Sequence, residues 1–416
     1  MHILFVHQNY PAQFGHVAAY LARRGFRCTF VSRLPPGTEN GVERVQFDLK
    51  GGATEATHFG SRSFESATWQ SHAVYDALKA RPDVRPDLIV GHSGYLTTTL
   101  LRELYPCPVV SYFEYYYQTT GSDMDFRPDF PSPEPARLRA YLRNTLLLLD
   151  LEACDLGYSP TVWQRDRLPW TYRPKVRVVF DGIDTGVWRP VPNAPRRVGP
   201  WAVPAGVRLV TYVARGMESI RGFDVFMRAA AVICRRRADV VFAVVGEDRG
   251  FYGGDAEVTG DPSFKNWVLS RGDYDLSRFH FAGRLPPDQL AELFSATDLH
   301  VYLTVPFVLS WSLLNAMACG ATVLASDTGP VRDVVREGET GLLTDFFDAE
   351  ALATRALAVL DAPADYAPLG RNAAELVRST YSLDVCLPQM LDLYQDAVAV
   401  HAARTRHAQA APGGRP

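Results

Sequence analysis

Residues 301–327 read VYLTVPFVLSWSLLNAMACGATVLASD, and they constrain the architecture more than any other part of the chain. An apolar run of strand length leads into a proline-containing loop, a helical pattern, Gly320 and a second apolar run. Glycine commonly follows the last residue of a helix, and the N–H groups where a helix opens, here near Ser310, favour an anion. The segment therefore predicts a strand–helix–strand unit with an anion site at the start of the helix.

Short apolar runs alternate with helical patterns on both sides of this segment. Such alternation indicates βαβ units around a parallel sheet that is covered on both faces. At roughly 150 residues per domain, 416 residues suffice for two or three domains. We predict an α/β protein of two Rossmann-like, doubly wound parallel-sheet domains that face each other across a central cleft.

A proline-rich stretch at 189–206 interrupts the pattern, and we predict that it is the linker between the domains. The N-terminal domain is then 1–188 and the C-terminal domain 207–380. A helix is expected over 381–400, for which a return to the N-terminal domain is one option. The small and polar residues of 401–416 predict a disordered tail.

The composition excludes several classes of protein. Forty-three basic and 46 acidic residues give a net charge of −3, which argues against a nucleic-acid partner. No apolar stretch reaches the roughly 18–20 residues of a membrane span, and the N-terminus lacks a basic signal region. The six cysteines include no CxxC pair, so a zinc site is not expected. We expect a cytoplasmic protein without integral membrane association.

Several short motifs occur in a fixed order at predicted strand ends. They are Asp181-Gly182-Ile183-Asp184, Arg215-Gly216 with Arg221-Gly222, Val244-Val245-Gly246, Gly283-Arg284, Pro306-Phe307, the run from Ala316 to Gly320, Ala325-Ser326-Asp327 and Gly338-Glu339-Thr340-Gly341. In this order they resemble the retaining GT-B glycosyltransferases of family 4. The resemblance implies a nucleotide-sugar donor in the C-terminal domain, a small-molecule acceptor in the N-terminal domain, and transfer without a metal or other cofactor.

The resemblance assigns the donor diphosphate to Arg215 and Arg221, the second of which stands where the family has lysine. Guanidinium groups stabilise the negative charge that builds on a diphosphate leaving group. The alternative is that both arginines only form a surface ion pair with Glu218. The other positions that the resemblance assigns to the donor are Gly15, Gly246, Arg284, Leu285, Phe307, Val308, Leu309, Ser310 and Asn315.

The sequence departs from the family where two glutamates are usual. Val305 occupies the first position and Asn315 the second, and the stretch between Phe307 and Asn315 is two residues longer. Asparagine still accepts and donates hydrogen bonds, but without the charge that strengthens them. Two interpretations are open: an unusual donor sugar, or weakened donor binding in a non-catalytic partner protein.

Candidate acceptor residues lie at the ends of the predicted N-terminal strands. Glu114 stands where many relatives have a histidine near the donor sugar, and His92 ends another strand. A carboxylate suits orientation of the acceptor, proton transfer or stabilisation of positive charge on the sugar, and His92 is a second candidate. The remaining acceptor candidates are His16, Tyr115, Tyr116, Tyr117 and Asp123. Asp123 and Asp125 match the metal-binding D-x-D of another transferase fold, but their proline-rich loop lies in a GT-B pattern, so no metal is expected.

The sequence therefore predicts a retaining glycosyltransferase acting on a small molecule, with antibiotic or secondary-metabolite biosynthesis and either O- or S-glycosylation as options. The alternative is a non-catalytic GT-B protein that binds a nucleotide or regulates a partner. A pyridoxal-phosphate-dependent phosphorylase shares the fold, but the chain has only four lysines, none of them in a marked setting. The sequence leaves the nucleotide base, the sugar, the acceptor and the oligomeric state open.

Overall fold

The computed structural model describes residues 1–410, which form two units. The first unit contains Met1–Thr119, Pro133–Asp181 and the chain from Cys386 onward. The second contains Thr120–Ser132 and Gly182–Val385. Each unit is built on a parallel sheet with helices in its crossover connections, so the predicted fold class is confirmed.

The strands of the described residues, in chain order, are β1 (His2–Val6), β2 (Arg27–Ser32), β3 (Gly37–Glu39), β4 (Val42–Gln46), β5 (Leu88–His92), β6 (Val109–Tyr112), β7 (Leu156–Ser159), β8 (Val176–Val178), β9 (Arg197–Val198), β10 (Trp201–Ala202), β11 (Arg208–Gly216), β12 (Val240–Glu247), β13 (Phe279–Gly283), β14 (Leu299–Tyr302), β15 (Val323–Ser326) and β16 (Leu342–Thr344).

The helices of the described residues are α1 (Gly15–Arg23), α2 (Arg62–Lys79), α3 (Asp123–Phe126), α4 (Glu134–Ala153), α5 (Val162–Arg165), α6 (Phe223–Arg236), α7 (Asp255–Thr259), α8 (Phe264–Leu269), α9 (Pro287–Ala296), α10 (Trp311–Ala318), α11 (Gly329–Arg332), α12 (Ala349–Asp361), α13 (Pro363–Leu376) and α14 (Leu383–Ala410). Short 3₁₀ turns cover Thr99–Glu103, Arg173–Lys175, Ser219–Arg221 and Leu276–Arg278, and a π-helical turn covers Val377–Tyr381. None of the helices in residues 1–410 combines the length and apolar composition that crossing a membrane requires.

The eight-stranded sheet of the first unit has the order β3-β4-β2-β1-β5-β6-β7-β8 and is parallel except for the β3–β4 pair. All five residues of β1 and of β5 are buried, as expected for strands covered on both faces. The order reverses between β1 and β5. Ligands of open parallel sheets bind beyond the carboxyl ends of the strands at such a reversal.

The sheet of the second unit has the order β13-β12-β11-β14-β15-β16 and is parallel throughout. Here the order reverses between β11 and β14, which pair from Val210 with Leu299 to Tyr212 with Val301. Arg215 lies near the carboxyl end of β11, and the loop 303–310 follows β14. The second unit therefore also places its reversal point beside residues that the sequence assigned to a ligand.

The prediction of a linker at 189–206 is wrong, because this segment is part of the second unit. It contains the short antiparallel pair β9–β10, and the Trp201 ring stacks on His280 with centroids 4.8 Å apart. The Arg196 guanidinium pairs with Asp298 at 2.9 Å. The prolines exclude a helix, but the remaining side chains find partners on the sheet and α9, and the change of unit falls earlier, between Asp181 and Gly182.

The predicted N-terminal domain 1–188 also included residues that belong to the second unit. Thr120–Ser132, called the inserted segment below, is part of the second unit. Its Phe126 ring stacks on Phe347 at 5.0 Å, and its Phe130 ring packs against Trp267 at 5.6 Å. The burial of these aromatic rings accounts for the difference.

The prediction of a disordered tail is wrong for 401–410, because α14 continues to Ala410. His401 and Arg404 reach the buried carboxylate of Asp155 at 3.3 and 3.2 Å, which holds this part of the helix on the first unit. From Cys386 onward α14 belongs to that unit. The rest of the predicted tail, 411–416, lies outside the described residues.

Candidate active site

Three polar side chains meet at the reversal point of the first sheet. His7 follows β1, His92 ends β5, and Glu114 lies two residues beyond β6. The imidazole centroids of His7 and His92 are 5.1 Å apart, and His92 Nε2 lies 3.5 Å from Glu114 Oε2. Three neighbouring strand ends therefore bring a carboxylate and two histidines together, including the two predicted catalytic residues of this unit.

His92 has a defined hydrogen-bonding arrangement. Its Nδ1 lies 2.8 Å from the Ser93 carbonyl, which only accepts, so Nδ1 carries the proton. Its Nε2 is buried and has no hydrogen-bond partner within residues 1–410, although it faces the Glu114 carboxylate. The other Glu114 oxygen accepts from Gln13 Nε2 at 3.2 Å. The pair presents basic atoms that suit a bound hydroxyl or thiol.

His7 stays neutral over a wide pH range. Burial, and secondarily the neighbouring His92, lower the pKa of His7 to about 3. Its Nδ1 accepts from the Asn9 N–H at 2.9 Å, and the half-exposed Tyr95 ring lies 5.7 Å away. His7 therefore adds hydrogen-bonding capacity to the site, but no positive charge near neutral pH.

The low pKa of His7 predicts an acid-sensitive fold. An unfolded histidine binds a proton below a pH of about 6.5, whereas folded His7 does so only near 3. Its contribution to the free energy of unfolding is complete above pH ~6.5 and declines as the pH falls towards 3. We expect His7→Asn to show a smaller drop in melting temperature between pH 7.5 and 5 than the wild type.

The control is His72→Asn, which changes an exposed histidine on α2 and should keep the wild-type pH dependence. Equal drops in melting temperature for His7→Asn and the wild type would contradict the assignment.

The other predicted acceptor residues of this unit have structural contacts. His16 Nε2 donates to the Asp181 carbonyl at 2.6 Å. The buried Tyr115 ring stacks on Trp163, and the Tyr117 backbone exchanges hydrogen bonds with the Asn144 amide. Tyr116 packs against the apolar core of the unit. Gly15, predicted near the donor, allows the turn before α1, because a Cβ there would lie 2.2 Å from Pro11 Cβ.

In the second unit, Arg221 is buried with only 5% of its surface exposed. Its guanidinium donates to Thr304 Oγ1 at 2.8 Å and to the Val308 carbonyl at 3.3 Å. It also lies above the rings of Tyr252 and Phe307, 5.5 and 5.8 Å from their centroids. These contacts fix the position of the guanidinium between β14 and the start of α10.

Arg215 is exposed and shares the same aromatic wall. Its guanidinium lies 4.2 Å from the centroid of Phe251 and donates to the Tyr252 hydroxyl at 3.3 Å. Neither Arg215 nor Arg221 forms an ion pair with any carboxylate of residues 1–410. A buried guanidinium without a counter-charge is costly, and an anionic ligand removes that cost. The two guanidinium groups therefore place positive charge without a carboxylate partner on one aromatic wall.

Glu218 does not pair with these arginines. It is completely buried, and one carboxylate oxygen accepts the backbone N–H groups of Phe251, Tyr252 and Gly253 at 2.7, 2.8 and 3.2 Å. The alternative of a surface ion pair to Glu218 is therefore wrong. Glu218 instead anchors the aromatic wall on which both guanidinium groups rest.

The remaining predicted donor residues divide into backbone and surface positions. Gly246 has φ of +149° at the end of β12, where a Cβ would lie 2.3 Å from the Ala214 carbonyl oxygen. It is therefore required by the close approach of β11 and β12. Arg284 is exposed beyond β13, and Leu285 beside it is half-buried.

The loop before α10 leads to the predicted anion site. Ser310 caps the helix, because its hydroxyl accepts from the Ser312 N–H at 3.3 Å, and its own N–H donates to the Tyr302 hydroxyl. Val308 is buried, and Phe307 and Leu309 are half-buried. The Ser310 hydroxyl therefore occupies one of the N–H groups at the opening of α10.

Asn315 and Val305 occupy the two positions where the family has glutamate. The Asn315 side chain is buried, and its Oδ1 has no hydrogen-bond partner among the described residues. Val305 is completely buried and belongs to the apolar core of the second unit. Asn315 therefore keeps an unsatisfied polar atom, whereas Val305 packs in the apolar core.

Asp123 lies on the second unit, not on the predicted acceptor-binding domain. It is the first residue of α3, and the Asp125 carboxylate closes a capping box with the N–H groups of Gly121 and Ser122 at 2.8 and 2.9 Å. The D-x-D pattern therefore has a helix-capping explanation. Within residues 1–410 no group of three metal-binding side chains is found.

Two features around the arginines of the second unit were not predicted from the sequence. They are the Phe251–Tyr252 wall and the carboxylates of Glu218 and Asp255 that hold it. The Phe251–Tyr252 wall lies in the segment 250–275 between β12 and β13, called the excursion here; its sequence contains turn residues but nothing that indicates what they contact. Glu218 and Asp255 fix this excursion, the latter by accepting from the Ser219 N–H at 2.8 Å. The turn residues Gly253-Gly254 and Asp261-Pro262 were the signals that the sequence offered there.

Two doubly wound parallel-sheet units, each with a reversal point in its strand order, have the architecture of the GT-B fold. A model described as glycosyl transferase family 4 group matches residues 24–187, and one described as glycosyl transferases group 1 matches residues 199–376. The chain belongs to the family 4 glycosyltransferases, as the motifs predicted.

Similar proteins are named D-inositol 3-phosphate glycosyltransferase. That of Corynebacterium glutamicum is 25% identical over 92% of this chain and 90% of its own length. That of Thermobispora bispora is 27% identical over 54% of this chain, and here the chain spans about half of the relative, 51%.

Solved structures show the same fold. Sucrose-phosphate synthase from Thermosynechococcus elongatus has a TM-score of 0.74 at 21% identity, covering 96% of this chain and 99% of its own. Anabaena Alr3699/HepE in complex with UDP and glucose has a TM-score of 0.66 at 16% identity, covering 94% and 98%.

Proposed function

We propose that the chain is a retaining glycosyltransferase of the cytoplasm that transfers a sugar from a nucleoside diphosphate to a small-molecule acceptor, without a metal. The observation that carries the proposal is the pair of guanidinium groups on one aromatic wall, Arg215 and the buried Arg221, without a carboxylate partner in residues 1–410. Such a site gains most from a ligand whose negative charge increases during the reaction.

In the proposed step the bond from the anomeric carbon to the donor phosphate oxygen breaks, and its electron pair stays on the diphosphate. The acceptor oxygen or sulfur bonds to the same face of that carbon, and its proton leaves to the diphosphate or to the Glu114–His92 pair. Arg215 and Arg221 stabilise the departing charge, while Glu114 orients the acceptor.

The first unit supports an acceptor without a phosphate group. The cluster at its strand ends presents the Glu114 carboxylate and a neutral His7, and a carboxylate repels a phosphate. The relatives are named for an inositol phosphate, so this chain is proposed to differ from them in acceptor. The departures at Val305 and Asn315 also support a less usual substrate, such as an antibiotic or other secondary metabolite.

The function is tested by incubating the full chain with UDP-, GDP-, ADP- and TDP-sugars and a mixture of acceptors, and measuring nucleotide release and glycosylated products. We expect release with at least one donor, and less product with D-inositol 3-phosphate than with an uncharged acceptor. Nucleotide binding without turnover of any donor would favour the non-catalytic alternative, which the absence of both family glutamates motivates.

Asn315 is proposed to bind a donor hydroxyl through its unsatisfied Oδ1. We expect Asn315→Ala to weaken nucleotide binding about tenfold, because a buried hydrogen bond to the ligand is lost. Calorimetry measures the change. Asn315→Glu, which restores the residue type of the family, should bind at least as tightly as the wild type. Wild-type affinity in the alanine variant would remove Asn315 from the site.

A further inference from the structure

The inserted segment, Thr120–Ser132, brings a buried arginine to the second unit. Arg127 is only 3% exposed, and its guanidinium donates to both carboxylate oxygens of Asp224, each at 2.8 Å. The same guanidinium donates to the Ser219 carbonyl at 2.8 Å and pairs with Asp129. Its face lies 4.5 Å from the centroid of Phe130. Arg127 is thus held by two carboxylates, a carbonyl and an aromatic ring.

These contacts converge on the turn that carries Arg221. Ser219–Arg221 is a 3₁₀ turn, and Asp224 lies in the first turn of α6 directly after it. Asp255 holds the Ser219 N–H, and the Tyr212 hydroxyl donates to the Arg221 carbonyl at 2.7 Å. Arg127 fixes the Ser219 carbonyl, so both polar backbone groups of Ser219 are bound by side chains from other parts of the chain.

The position of Arg127 also fits the charge of the site. Its guanidinium forms ion pairs with Asp224 and Asp129, whereas Arg221 has no carboxylate partner in residues 1–410. Arg127 is therefore suited to hold the backbone, while Arg221 keeps its charge for the ligand. A planar guanidinium reaches a carboxylate with two parallel bonds and a carbonyl with a third, which a lysine ammonium does not reproduce.

We propose that Arg127 is a positioning residue for the donor, which acts through Arg221 by fixing the Ser219–Arg221 turn. This inference rests on the proposed function, in which Arg221 binds the diphosphate. It assigns a role to the inserted segment. This segment follows Thr119 of the first unit, belongs to the second unit and carries Arg127. Donor affinity and catalysis then depend on a residue that does not contact the donor.

The test is a double-mutant cycle on the full chain, measured by calorimetry with whichever of UDP, GDP, ADP and TDP the wild type binds most tightly. We expect Arg127→Ala to weaken nucleotide binding about tenfold in the wild-type background, the size typical of a lost hydrogen bond to a charged group. In the Arg221→Ala background the same change should have almost no effect, because the residue through which Arg127 acts is absent. Melting temperatures verify that each variant is folded.

Arg228→Ala is the matched control, since Arg228 pairs with the same Asp224 carboxylate at 2.9 Å from the surface of α6. Its nucleotide affinity should equal that of the wild type. If Arg127→Ala is unfolded, Arg127→Lys takes its place in the cycle, with an expected loss of about threefold to tenfold because the charge stays while the fork is lost.

Equal losses in the wild-type and Arg221→Ala backgrounds would overturn the inference, because Arg127 would then act independently of Arg221. Wild-type affinity in a folded Arg127 variant would also overturn it, while leaving the proposed function intact if Arg221→Ala binds the nucleotide more weakly than the wild type. Failure of the wild type to bind any of UDP, GDP, ADP and TDP would overturn both proposals.

Discussion

Replacing Arg221 by alanine is expected to lower donor turnover about 100-fold or more, the usual cost of removing a preorganised group that stabilises developing negative charge. Arg221 is buried, held by Thr304 and the Val308 carbonyl, and lacks a carboxylate partner in residues 1–410. Under the proposed function, its charge stabilises the leaving diphosphate. The measurement is the steady-state rate of nucleotide release from the preferred nucleotide sugar.

Arg221→Lys is the matched variant, because it keeps the charge and introduces the residue usual in the family. It should retain much more activity than alanine. Arg215→Ala is expected to have a smaller effect, about tenfold, because Arg215 is exposed and water screens its charge. Donor turnover within threefold of the wild type in Arg221→Ala would contradict the assignment.

Replacing Glu114 by glutamine is expected to lower kcat about 100-fold, the range usual for loss of a positioned base, with unchanged affinity for the nucleotide. The carboxylate faces His92 Nε2 at 3.5 Å on the first unit, whereas the arginines lie on the second. Glutamine keeps the shape and a hydrogen bond to Gln13 but neither accepts a proton nor carries charge. Glycosylated product is quantified in parallel with nucleotide binding.

Comparison of Arg221→Ala with Glu114→Gln separates the proposed role in donor binding from the proposed role at the acceptor. Arg221→Ala should weaken nucleotide binding and lower turnover together, and Glu114→Gln should lower only turnover. A parallel loss of nucleotide affinity in Glu114→Gln would indicate that Glu114 acts on the donor instead of the acceptor. An unchanged kcat would remove it from the catalytic residues.

The fold could be predicted from the sequence because its signals are local. The apolar runs of β1 and β14 and the glycine after α10 each lie within a few residues of the element that they define. The arginines could be placed at a strand end for the same reason. That Arg221 lacks a counter-charge required the structure, since nothing in the sequence shows where the neighbouring Glu218 side chain points.

The inserted segment could not be predicted, because its partners are distant in the sequence. Arg127 pairs with Asp224, 97 positions away, and no periodic pattern marks such a contact. The same holds for His401 and Arg404, which pair with the distant Asp155. These residues lie on a helix where the sequence predicted a disordered tail. Polar contacts between remote segments are specific to side-chain geometry, whereas hydrophobic periodicity is not.

The central claim is that the second unit binds a nucleoside diphosphate through Arg215 and Arg221. Calorimetric titration of the full chain with UDP, GDP, ADP and TDP tests it most directly, with the double variant Arg215→Ala/Arg221→Ala as comparison. We predict saturable binding of at least one of the four nucleotides by the wild type, and loss of that binding in the double variant. Absence of binding to all four, or equal binding by the double variant, would contradict the claim.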